Sequence, residues 1–277
     1  MTVENKSTIK ILFFGDMVGK PGRLAVRDFL AQNKDNYDFI IANGENASHG
    51  FGLTLKNYNN LLDFGINCIT SGNHIWDKKD IWEYIDTAEN LVRPLNYPNG
   101  TRGQGWRIFE IANGVKIGVI NFLGRVFMSP VDSQWELAKE AIAEIKKETP
   151  IVIIDFHAEA TAEKICFAKY CSELGASAFF GTHTHVQTAD EKILNDKMAY
   201  ITDAGFCGAS EGVIGMEYKS SLNRFLTCMP ERYDVADSKE VQINATEVEI
   251  DTATGYAVAI KRISCNSKLE ENKDHEN

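Results

Sequence analysis

Five short polar clusters in this chain carry side chains that bind metal ions readily. Each cluster stands at or just beyond an apolar run, and the candidate residues are Asp16, Glu45, Asn46, Asn73, His74, His157, His183 and His185. Carboxylate oxygen, amide oxygen and imidazole nitrogen are the ligand types that hold divalent first-row metals. In an open α/β sheet, ligands bind beyond the carboxyl ends of the strands, where these residues would gather. The sequence therefore predicts a metal site, and the number of ligands favours two ions.

Taken singly, most of the clusters have an ordinary structural explanation. Asp16 follows a glycine and would suit a turn, and an isolated His157 would suit a partly buried position. The run Gly181–His185 is harder to explain by packing, because its two histidines would project toward the same side of an extended segment. Since all five clusters occur together, we expect them to share one site. Glu45, with its two carboxylate oxygens, suits a bridge between ions about 3.5–4 Å apart.

Apolar runs that alternate with helical patterns predict the elements that hold these clusters. Runs without polar alternation are typical of strands covered on both faces, and here they are Ile9–Phe14, Phe39–Ala42, Asn67–Ser71 and Ile151–Phe156. Asn113 and Gly114 predict a tight hairpin turn between two further strands. The irregular stretch Gly205–Lys239 is interpreted as loops near the site. The alternation of strands and helices predicts an α/β fold.

The length and charge of the chain exclude some classes of protein. With 277 residues, 44% of them hydrophobic, it can bury a full core, as one large domain or as a domain with a subdomain. Its formal net charge is −10, and no run of Lys and Arg is longer than two. That balance argues against a long nucleic acid as partner. A small anionic substrate is compatible with it, because bound dications invert the local charge.

Cysteine usage and hydropathy predict a cytoplasmic protein that does not enter a membrane. The six cysteines are scattered without a C-x-x-C pair, the polar start does not resemble a signal peptide, and no apolar run approaches the length of a membrane span. The folded part is expected over residues 9–263, followed by a polar tail over residues 264–277. The sequence leaves open whether the chain forms a homo-oligomer.

The segment 76–105 is predicted to form a cap or flap over the site. Its periodicity is weak apart from a short helical pattern over Lys78–Ile85, proline and glycine are frequent, and it begins two residues after His74. Long irregular segments in compact domains are usually functional. The aromatic side chains of this segment, among them Trp76 and Trp82, suit either stacking on a substrate base or packing in the core.

The clusters together resemble the motif series of the calcineurin-like metallophosphoesterases. That resemblance rests on Gly15-Asp16, Gly44-Glu45-Asn46, Gly72-Asn73-His74, His157 and Gly181-Thr182-His183-Thr184-His185. The motif sequences resemble those of the YmdB-type 2′,3′-cyclic-nucleotide 2′-phosphodiesterases more closely still. The matching segments are Gly15-Asp16-Met17-Val18-Gly19, Asn43-Gly44-Glu45-Asn46-Ala47, Asp155-Phe156-His157-Ala158-Glu159-Ala160 and Gly181–Thr188. The match runs from about Ile9 to about Ile263.

This resemblance implies a four-layer α/β/β/α sandwich with a small cap insertion, two iron or manganese ions, and hydrolysis of small phosphodiesters. The expected substrates are 2′,3′-cyclic nucleotides. By position, the first ion would be held by Asp16, Glu45, Asn46 and His185, and the second by Glu45, Asn73, His157 and His183. His74 would be the proton donor, and a hydroxide activated by the two metal ions would attack phosphorus.

Two departures from the wider superfamily agree with the narrower branch. Val18 stands where most members have a histidine ligand, and Asn46 is the expected substitute. Ile75 follows His74 where most members have an acidic residue, so Asp77 is a candidate to hold the His74 ring.

Two other functions fit the same residues. A protein or monoester phosphatase would use the same metal core and differ in the shape and charge around the cleft. A regulatory binding protein would retain the fold and act through partners. The complete ligand sets argue against this alternative, because an enzyme that has lost its activity would not need them. Outside the ligand sets, Arg23 is a candidate to face the substrate phosphate, and His49 is interpreted as an exposed loop histidine.

Overall fold

A computed structural model describes residues 7–270, which form fourteen strands and six α-helices. In chain order the strands are β1 Thr8–Phe14, β2 Asp16–Met17, β3 Phe39–Asn43, β4 Cys68–Thr70, β5 Leu91–Val92, β6 Trp106–Glu110, β7 Lys116–Leu123, β8 Val152–His157, β9 Ala178–Thr182, β10 Lys192–Leu194, β11 Met198–Ile201, β12 Phe206–Ala209, β13 Glu240–Asp251 and β14 Ala257–Lys268. The helices are α1 Gly19–Asn33, α2 Leu55–Asp63, α3 Ile81–Tyr84, α4 Gln134–Ile145, α5 Thr161–Leu174 and α6 Tyr218–Thr227, with a short 3-10 helix over Lys34–Asn36.

The strands form two sheets that pack face to face. The first has the order β2-β12-β13-β1-β3-β4-β5, with β14 paired to β13, and the second has the order β10-β11-β9-β8-β7-β6. Phe13 of the first sheet stacks on Phe180 of the second, with ring centroids 4.3 Å apart. Helices α1 and α2 cover the outer face of the first sheet, and α4 and α5 cover that of the second. The predicted four-layer α/β/β/α sandwich is confirmed.

Strand β1 shows why the sequence has apolar runs instead of alternation. Ile9, Ile11 and Phe13 face the second sheet. Leu12 and Phe14 point to the opposite side and pack with residues of α1, because successive side chains of a strand alternate between its two faces. Both faces are covered, so both sets of side chains are apolar.

The carboxyl ends of the parallel strands bring the polar clusters to one edge of the sandwich. In the first sheet β1, β3 and β4 run parallel, and in the second sheet β7, β8 and β9 do so. Asp16 follows β1 and Glu45 follows β3, while His157 is the last residue of β8 and Thr182 the last of β9. Both sheets therefore contribute side chains to the same edge.

Two predictions for the C-terminal third are wrong. The stretch 205–239, predicted as loops, contains β12 and α6. Strand β12 pairs with β13 and with β2, and no local pattern reveals such long-range pairing. The closing strand β14 runs to Lys268, beyond the predicted end at Ile263, because its polar and largely exposed residues still pair with β13. The polar tail therefore starts later than predicted, and residues 271–277 lie outside the described residues.

Much of the segment 76–105 is a core element. Ile81 and Leu91 are buried in the core with the first sheet, and β5 extends that sheet beside β4. Trp76 and Trp82 stack on each other with ring centroids 4.7 Å apart. The prediction of a flap is therefore wrong for Ile81–Val92, where a few well-spaced apolar residues suffice to fix the chain in the core. A cap role for residues 93–105 stays a prediction.

The helices are short, and α1 is the longest described, with 15 residues. Within residues 7–270, none is both long enough and apolar enough to cross a bilayer. The cysteines are all unpaired, and half of them are buried, namely Cys68, Cys171 and Cys207.

Candidate metal centre

The Nε2 atom of His157 lies among the donor atoms of three other predicted ligands. It is 3.0 Å from Oε1 of Glu45, 3.0 Å from Nδ1 of His183 and 3.2 Å from Oδ1 of Asn73. The donor atoms of Glu45, His157 and His183 all lie within 4.8 Å of one another. Metal–ligand bonds of about 2.1 Å place adjacent donors of one ion about 3 Å apart. Glu45, His157 and His183 therefore have the spacing that one ion requires, and Asn73 lies at a matching distance from His157.

The lack of a side chain at Gly72 allows these donors to converge. A Cβ atom at this position would lie 2.1 Å from Oε2 of Glu45 and 2.5 Å from Nε2 of His157. Both of these side chains are buried, so neither can move into solvent to make room. A glycine directly before Asn73 is thus a steric requirement of the site.

Two buried oxygen atoms beside this group have no hydrogen-bond partner among the described residues. They are Oδ1 of Asp16 and Oδ1 of Asn46. The other polar atoms of both side chains are engaged: Oδ2 of Asp16 accepts from the N–H of His183, and Nδ2 of Asn46 donates to the carbonyl of Gly50, each at 2.9 Å. An unsatisfied buried polar group costs about 1–3 kcal/mol. A bound cation is one group that could satisfy such an oxygen, so the chemistry of these residues fits the metal predicted here.

His185 belongs to the same side of the site as Asp16. Its Nδ1 donates to the carbonyl of Ile214 at 2.9 Å, which leaves Nε2 as the atom free to bind a metal. Its ring stacks on Phe206 with centroids 5.4 Å apart. Burial raises the pKa of Asp16, and the charges of His157 and His185 counteract that effect. Asp16 and His185 therefore interact electrostatically, as two ligands of the first predicted ion would.

The loop that carries the two histidines has an uncommon backbone conformation. The φ angle is 101° at His183 and 63° at His185, in a region that residues other than glycine rarely adopt. Thr184 between them donates to Oδ2 of Asp203 from its backbone N–H at 3.1 Å and from its hydroxyl at 2.7 Å. Nζ of Lys164 lies 2.7 Å from the same oxygen, and both charged residues are buried. This ion pair holds a conformation that is costly on its own.

A chain of buried hydrogen bonds orients the ring of His157. Oγ1 of Thr182 lies 3.0 Å from Nδ1 of His157 and donates to Oδ1 of Asp155 at 2.7 Å. Asp155 also accepts from Nδ2 of Asn43 at 2.9 Å and from Oγ1 of Thr70 at 2.5 Å. Because the hydroxyl proton of Thr182 points to the carboxylate, its oxygen accepts from Nδ1–H. The tautomer that results keeps Nε2 directed at the other ligands.

The carboxylate of Glu159 contacts the ring of His183 in a similar way. Oε2 of Glu159 lies 3.1 Å from Nε2 of His183, while Nδ1 of His183 faces His157. With Nε2–H donated to Glu159, Nδ1 is the nitrogen available to a metal ion. The nitrogen not engaged by these contacts is thus Nδ1 in His183 and Nε2 in His185.

His74 stands at the rim of the site and is bound through both its backbone and its ring. Its N–H donates to Oε2 of Glu45 at 3.1 Å, and its Nδ1 lies 2.8 Å from Oδ2 of Asp77. The predicted contact with Asp77 is therefore present. The ring of Phe51 meets the imidazole edge-on, with centroids 4.8 Å apart. The contact with Asp77 engages Nδ1 of His74, so Nε2 is the other ring nitrogen.

Burial and mutual attraction set the charges of the central ligands. Burial raises the pKa of Glu45, but His157 outweighs that effect and brings it to about 2. Burial likewise lowers the pKa of His157, but Glu45 and Asp16 outweigh it and raise the value to about 9. For His183, burial and the neighbouring His157 lower the pKa to about 3. His183 is therefore neutral, as a metal ligand must be.

Arg23 and His49, two residues outside the predicted ligand sets, were also considered from the sequence. Arg23 donates from Nη1 to the carbonyl of Ala47, so it braces the loop that carries Glu45 and Asn46. Its contact with a substrate phosphate stays a prediction. His49 is exposed, as interpreted from the sequence.

Residues that support the ligands were not identified from the sequence. Asp155, Glu159 and Thr182 lie inside the motifs that carry the family resemblance, so their position was a usable signal. Lys164 and Asp203 carry no such signal, because a buried ion pair between a helix and a loop cannot be recognised from local patterns.

The fold and the site define a class: a four-layer α/β protein with a candidate divalent-metal site at the carboxyl edge of its sheets. The chain belongs to the family described as YmdB-like protein, whose sequence profile matches residues 12–263. The resemblance inferred from the motifs is confirmed.

Individual relatives are similar to this chain over almost its whole length. The 2′,3′-cyclic-nucleotide 2′-phosphodiesterase of Bacillus subtilis strain 168 is 48% identical over 260 residues, which are 93% of this chain and 97% of that protein. A crystal structure of a novel phosphatase from Mycoplasma pneumoniae has a TM-score of 0.87 at 37% identity and covers 94% of each chain. A hypothetical protein from Thermus thermophilus has a TM-score of 0.85 at 37% identity, covering 93% of this chain and 99% of its own.

Proposed function

We propose that this protein is a metal-dependent phosphodiesterase that hydrolyses small phosphodiesters, with 2′,3′-cyclic nucleotides as its substrates. The observation that carries the proposal is the group of three nitrogen and oxygen donors around His157 Nε2, together with two buried oxygens that have no hydrogen-bond partner among the described residues. Nitrogen and oxygen donors suit iron and manganese, and these are the metals we propose. The name of the Bacillus subtilis relative, at 48% identity, supports the choice of substrate.

The ligand assignment follows the two groups of side chains at the site. Glu45, Asn73, His157 and His183 would hold one ion, and Asp16, Asn46 and His185 would hold the other, with Glu45 bridging them. Bound ions would lower the pKa of a water molecule and offset the charge of the phosphate. Thr182 and Glu159 keep the ligand nitrogens of His157 and His183 directed at the site.

His74 has the surroundings of a general acid. The carboxylate of Asp77, 2.8 Å from Nδ1, holds the ring in place. In hydrolysis of a 2′,3′-cyclic nucleotide, the oxygen of water bonds to phosphorus and the bond from phosphorus to O2′ breaks. O2′ then takes the proton from Nε2 of His74, and the 3′-phosphate is the product. Such proton transfer typically contributes about 10²–10⁴-fold to the rate.

We propose that the reaction takes place in the cytoplasm and that its substrate is a small molecule. The net charge of −10 supports a small substrate over a long nucleic acid. The unpaired state of all six cysteines supports a reducing compartment.

Assays on protein loaded with Mn²⁺ or Fe²⁺ test this proposal. The substrates are 2′,3′-cyclic AMP, 3′,5′-cyclic AMP, a phosphoserine peptide and p-nitrophenyl phosphate, and His157→Asn serves as the ligand-deficient control. We expect turnover of 2′,3′-cyclic AMP to exceed that of the others and to vanish in the control. Preferred turnover of the peptide or the monoester would indicate a phosphatase instead. No metal-dependent turnover of any of them would indicate a regulatory binding protein.

A further inference from the structure

A cavity of about 460 Å³ opens beside the proposed general acid. The residues that line it are His49, Phe51, Lys78 and the segment Arg232–Val235. Its volume lies within the range of about 300–1,000 Å³ that is typical of small-molecule sites. None of these residues belongs to the predicted ligand sets.

We propose that this cavity binds the nucleoside part of the substrate, with the base packed against the rings of Phe51 and Tyr233. The inference rests on the proposed phosphodiesterase function and adds to it the residues that distinguish a nucleotide from other cyclic diesters. A purine base with its ribose is small enough for the volume available.

The position of the cavity follows from the role of His74. Since His74 protonates O2′, the ribose must lie against its ring during the reaction. Phe51 meets that ring at 4.8 Å and also lines the cavity. A Cβ atom on Gly52 would lie 3.1 Å from the backbone N of Lys78 and 3.2 Å from the carbonyl of His74. Two residues that line the cavity, Phe51 and Lys78, are therefore close neighbours of His74.

The cavity wall is attached to the metal site through one loop. Asn46 donates to the carbonyl of Gly50 at 2.9 Å, and the next residue is Phe51. Val235 packs on this loop, because a Cβ on Gly50 would be 3.1 Å from its Cγ2. The cavity wall at Phe51 and the proposed ligand Asn46 thus belong to one hydrogen-bonded loop.

The chemistry of the walls suits an aromatic, anionic ligand. Phe51 and Tyr233 are half-buried and offer apolar rings on which a base can stack. Arg232 is paired with Asp234 at 2.9 Å, so their charges offset each other. Lys78 has no ion pair with a residue of the described chain, and it leaves the cavity positive on a protein whose net charge is −10.

Aromatic side chains of the segment 76–105 do not compete for this role. Trp76 stacks on Trp82 with an interplanar angle of 13° and meets Tyr97 edge-on. The hydroxyl of Tyr84 donates to the carbonyl of Leu53 inside the protein. These rings contact one another and the core. Phe51 and Tyr233 also pack against Val18, Phe206 and Met216, and the guanidinium of Arg224 lies over the Tyr233 ring, 4.0 Å from its centroid, but both side chains line the cavity as well.

A substrate pair separates recognition of the base from catalysis. We would measure kcat and KM of Mn²⁺-loaded protein on 2′,3′-cyclic AMP and on glycerol 1,2-cyclic phosphate, a cyclic diester without a base. The variants are Tyr233→Leu, which removes the ring but keeps apolar bulk, and Tyr233→Phe, which keeps the ring. Tyr256→Leu is the matched control, because Tyr256 is partly exposed in the turn before β14.

We expect Tyr233→Leu to lower kcat/KM for 2′,3′-cyclic AMP about tenfold, mainly through KM, as loss of one stacking partner would. The decrease for glycerol 1,2-cyclic phosphate should be at least fivefold smaller, and Tyr233→Phe should stay within about twofold of the wild type. Equal effects on both substrates, or none, would overturn the assignment of the cavity while the proposed function stands. A wild type that hydrolyses neither compound overturns the proposed function, and this inference with it.

Photolabelling provides a measurement that does not depend on how a variant folds. Wild-type protein is irradiated with 8-azidoadenosine 2′,3′-cyclic phosphate, and the labelled peptides are identified by mass spectrometry. We expect the label within His49–Phe51 or Arg232–Val235. Label confined to other peptides, and prevented by excess 2′,3′-cyclic AMP, would place the base elsewhere and contradict the proposal.

Discussion

Oγ1 of Thr182 lies 3.0 Å from Nδ1 of His157, so the residue that precedes one proposed metal ligand in the sequence orients another. The end of β9 thus contributes to the site twice: Thr182 orients His157, and His183, which follows Thr182 directly, is itself a proposed ligand. Asp155, on the neighbouring strand β8, accepts the hydroxyl proton of Thr182 at 2.7 Å. The two ligand-bearing strand ends are therefore joined below the site, independently of any ion.

Replacing the hydroxyl of Thr182 tests this support. Thr182→Val keeps the shape of the side chain and removes the acceptor for Nδ1–H of His157, so we expect Mn²⁺ affinity to fall about 10–100-fold. Thr246→Val is the matched control, since Thr246 is buried and its Oγ1 has no hydrogen-bond partner among the described residues. Isothermal titration calorimetry on both variants measures the difference. Equal affinities would show that Thr182 does not orient His157.

Gly72 offers a purely steric test of the site. In Gly72→Ala the new methyl group would meet Glu45 and His157 at 2.1 Å and 2.5 Å, so we expect metal binding to be lost or weakened at least tenfold. Gly118→Ala is the control: its Cβ would lie 2.3 Å from Cγ2 of Ile145 in the core. Overpacking there should cost about 1–3 kcal/mol of stability and leave the metal content unchanged. Full metal content in Gly72→Ala, by elemental analysis, would contradict the proposed ligand arrangement.

The buried pair of Lys164 and Asp203 is expected to be important for the stability of the histidine loop. Lys164→Met leaves the carboxylate of Asp203 buried without its cation, which should lower the free energy of unfolding by about 3–5 kcal/mol. The exposed pair of Lys147 and Glu144, at 2.7 Å, provides the control, and Lys147→Met should change stability by at most about 0.5 kcal/mol. Urea denaturation of both variants measures the effect. Similar values for the two would show that the buried pair has no special role.

His74 is predicted to act on the substrate and not on the metal. His74→Ala should reduce kcat for 2′,3′-cyclic AMP by about 10²–10⁴-fold with metal content nearly intact, because Asn73 next to it already supplies the ligand atom. Asp77→Asn keeps the ring contact but removes the negative charge, and it should cause a smaller loss of kcat. Loss of metal together with activity in His74→Ala would refute this assignment.

The pH dependence of metal binding is expected to follow His157. In the metal-free protein burial lowers its pKa, but Glu45 and Asp16 outweigh that effect and raise it to about 9. A metal ion can bind Nε2 only after the proton has left. Affinity for Mn²⁺ should therefore increase up to about tenfold per pH unit between pH 6.5 and 8.5. Calorimetric titrations at several pH values measure this slope, and an affinity independent of pH would contradict it.

The same ionisation should appear in the stability of the metal-free protein. Because the folded-state pKa of His157 is raised from 6.5 to about 9, its contribution to stability is complete below pH 6.5 and is lost as the pH rises through 9. The melting temperature of metal-free protein should therefore fall over this range. In His157→Asn the fall should be smaller, since that side chain does not ionise.

The fold class and the positions of the candidate ligands followed from the amino-acid pattern alone. Strands covered on both faces are apolar throughout, so runs such as Ile9–Phe14 and Ile151–Phe156 marked the two sheets. A polar residue placed just after such a run must lie at the carboxyl end of its strand. For this reason Asp16, Glu45 and His157 could be predicted to meet without knowledge of the strand order.

The groups that support those ligands, and those that line the proposed substrate cavity, became apparent from the three-dimensional contacts. Thr182 and Asp155 meet because β8 and β9 are neighbours, and Phe51 and Tyr233 line one cavity although 182 positions separate them in the chain. Such contacts depend on strand order and loop packing, which leave no periodic pattern in the sequence. The burial of Ile81 and Leu91 was missed for the same reason, because the apolar residues around them do not form a run that reveals a core element locally.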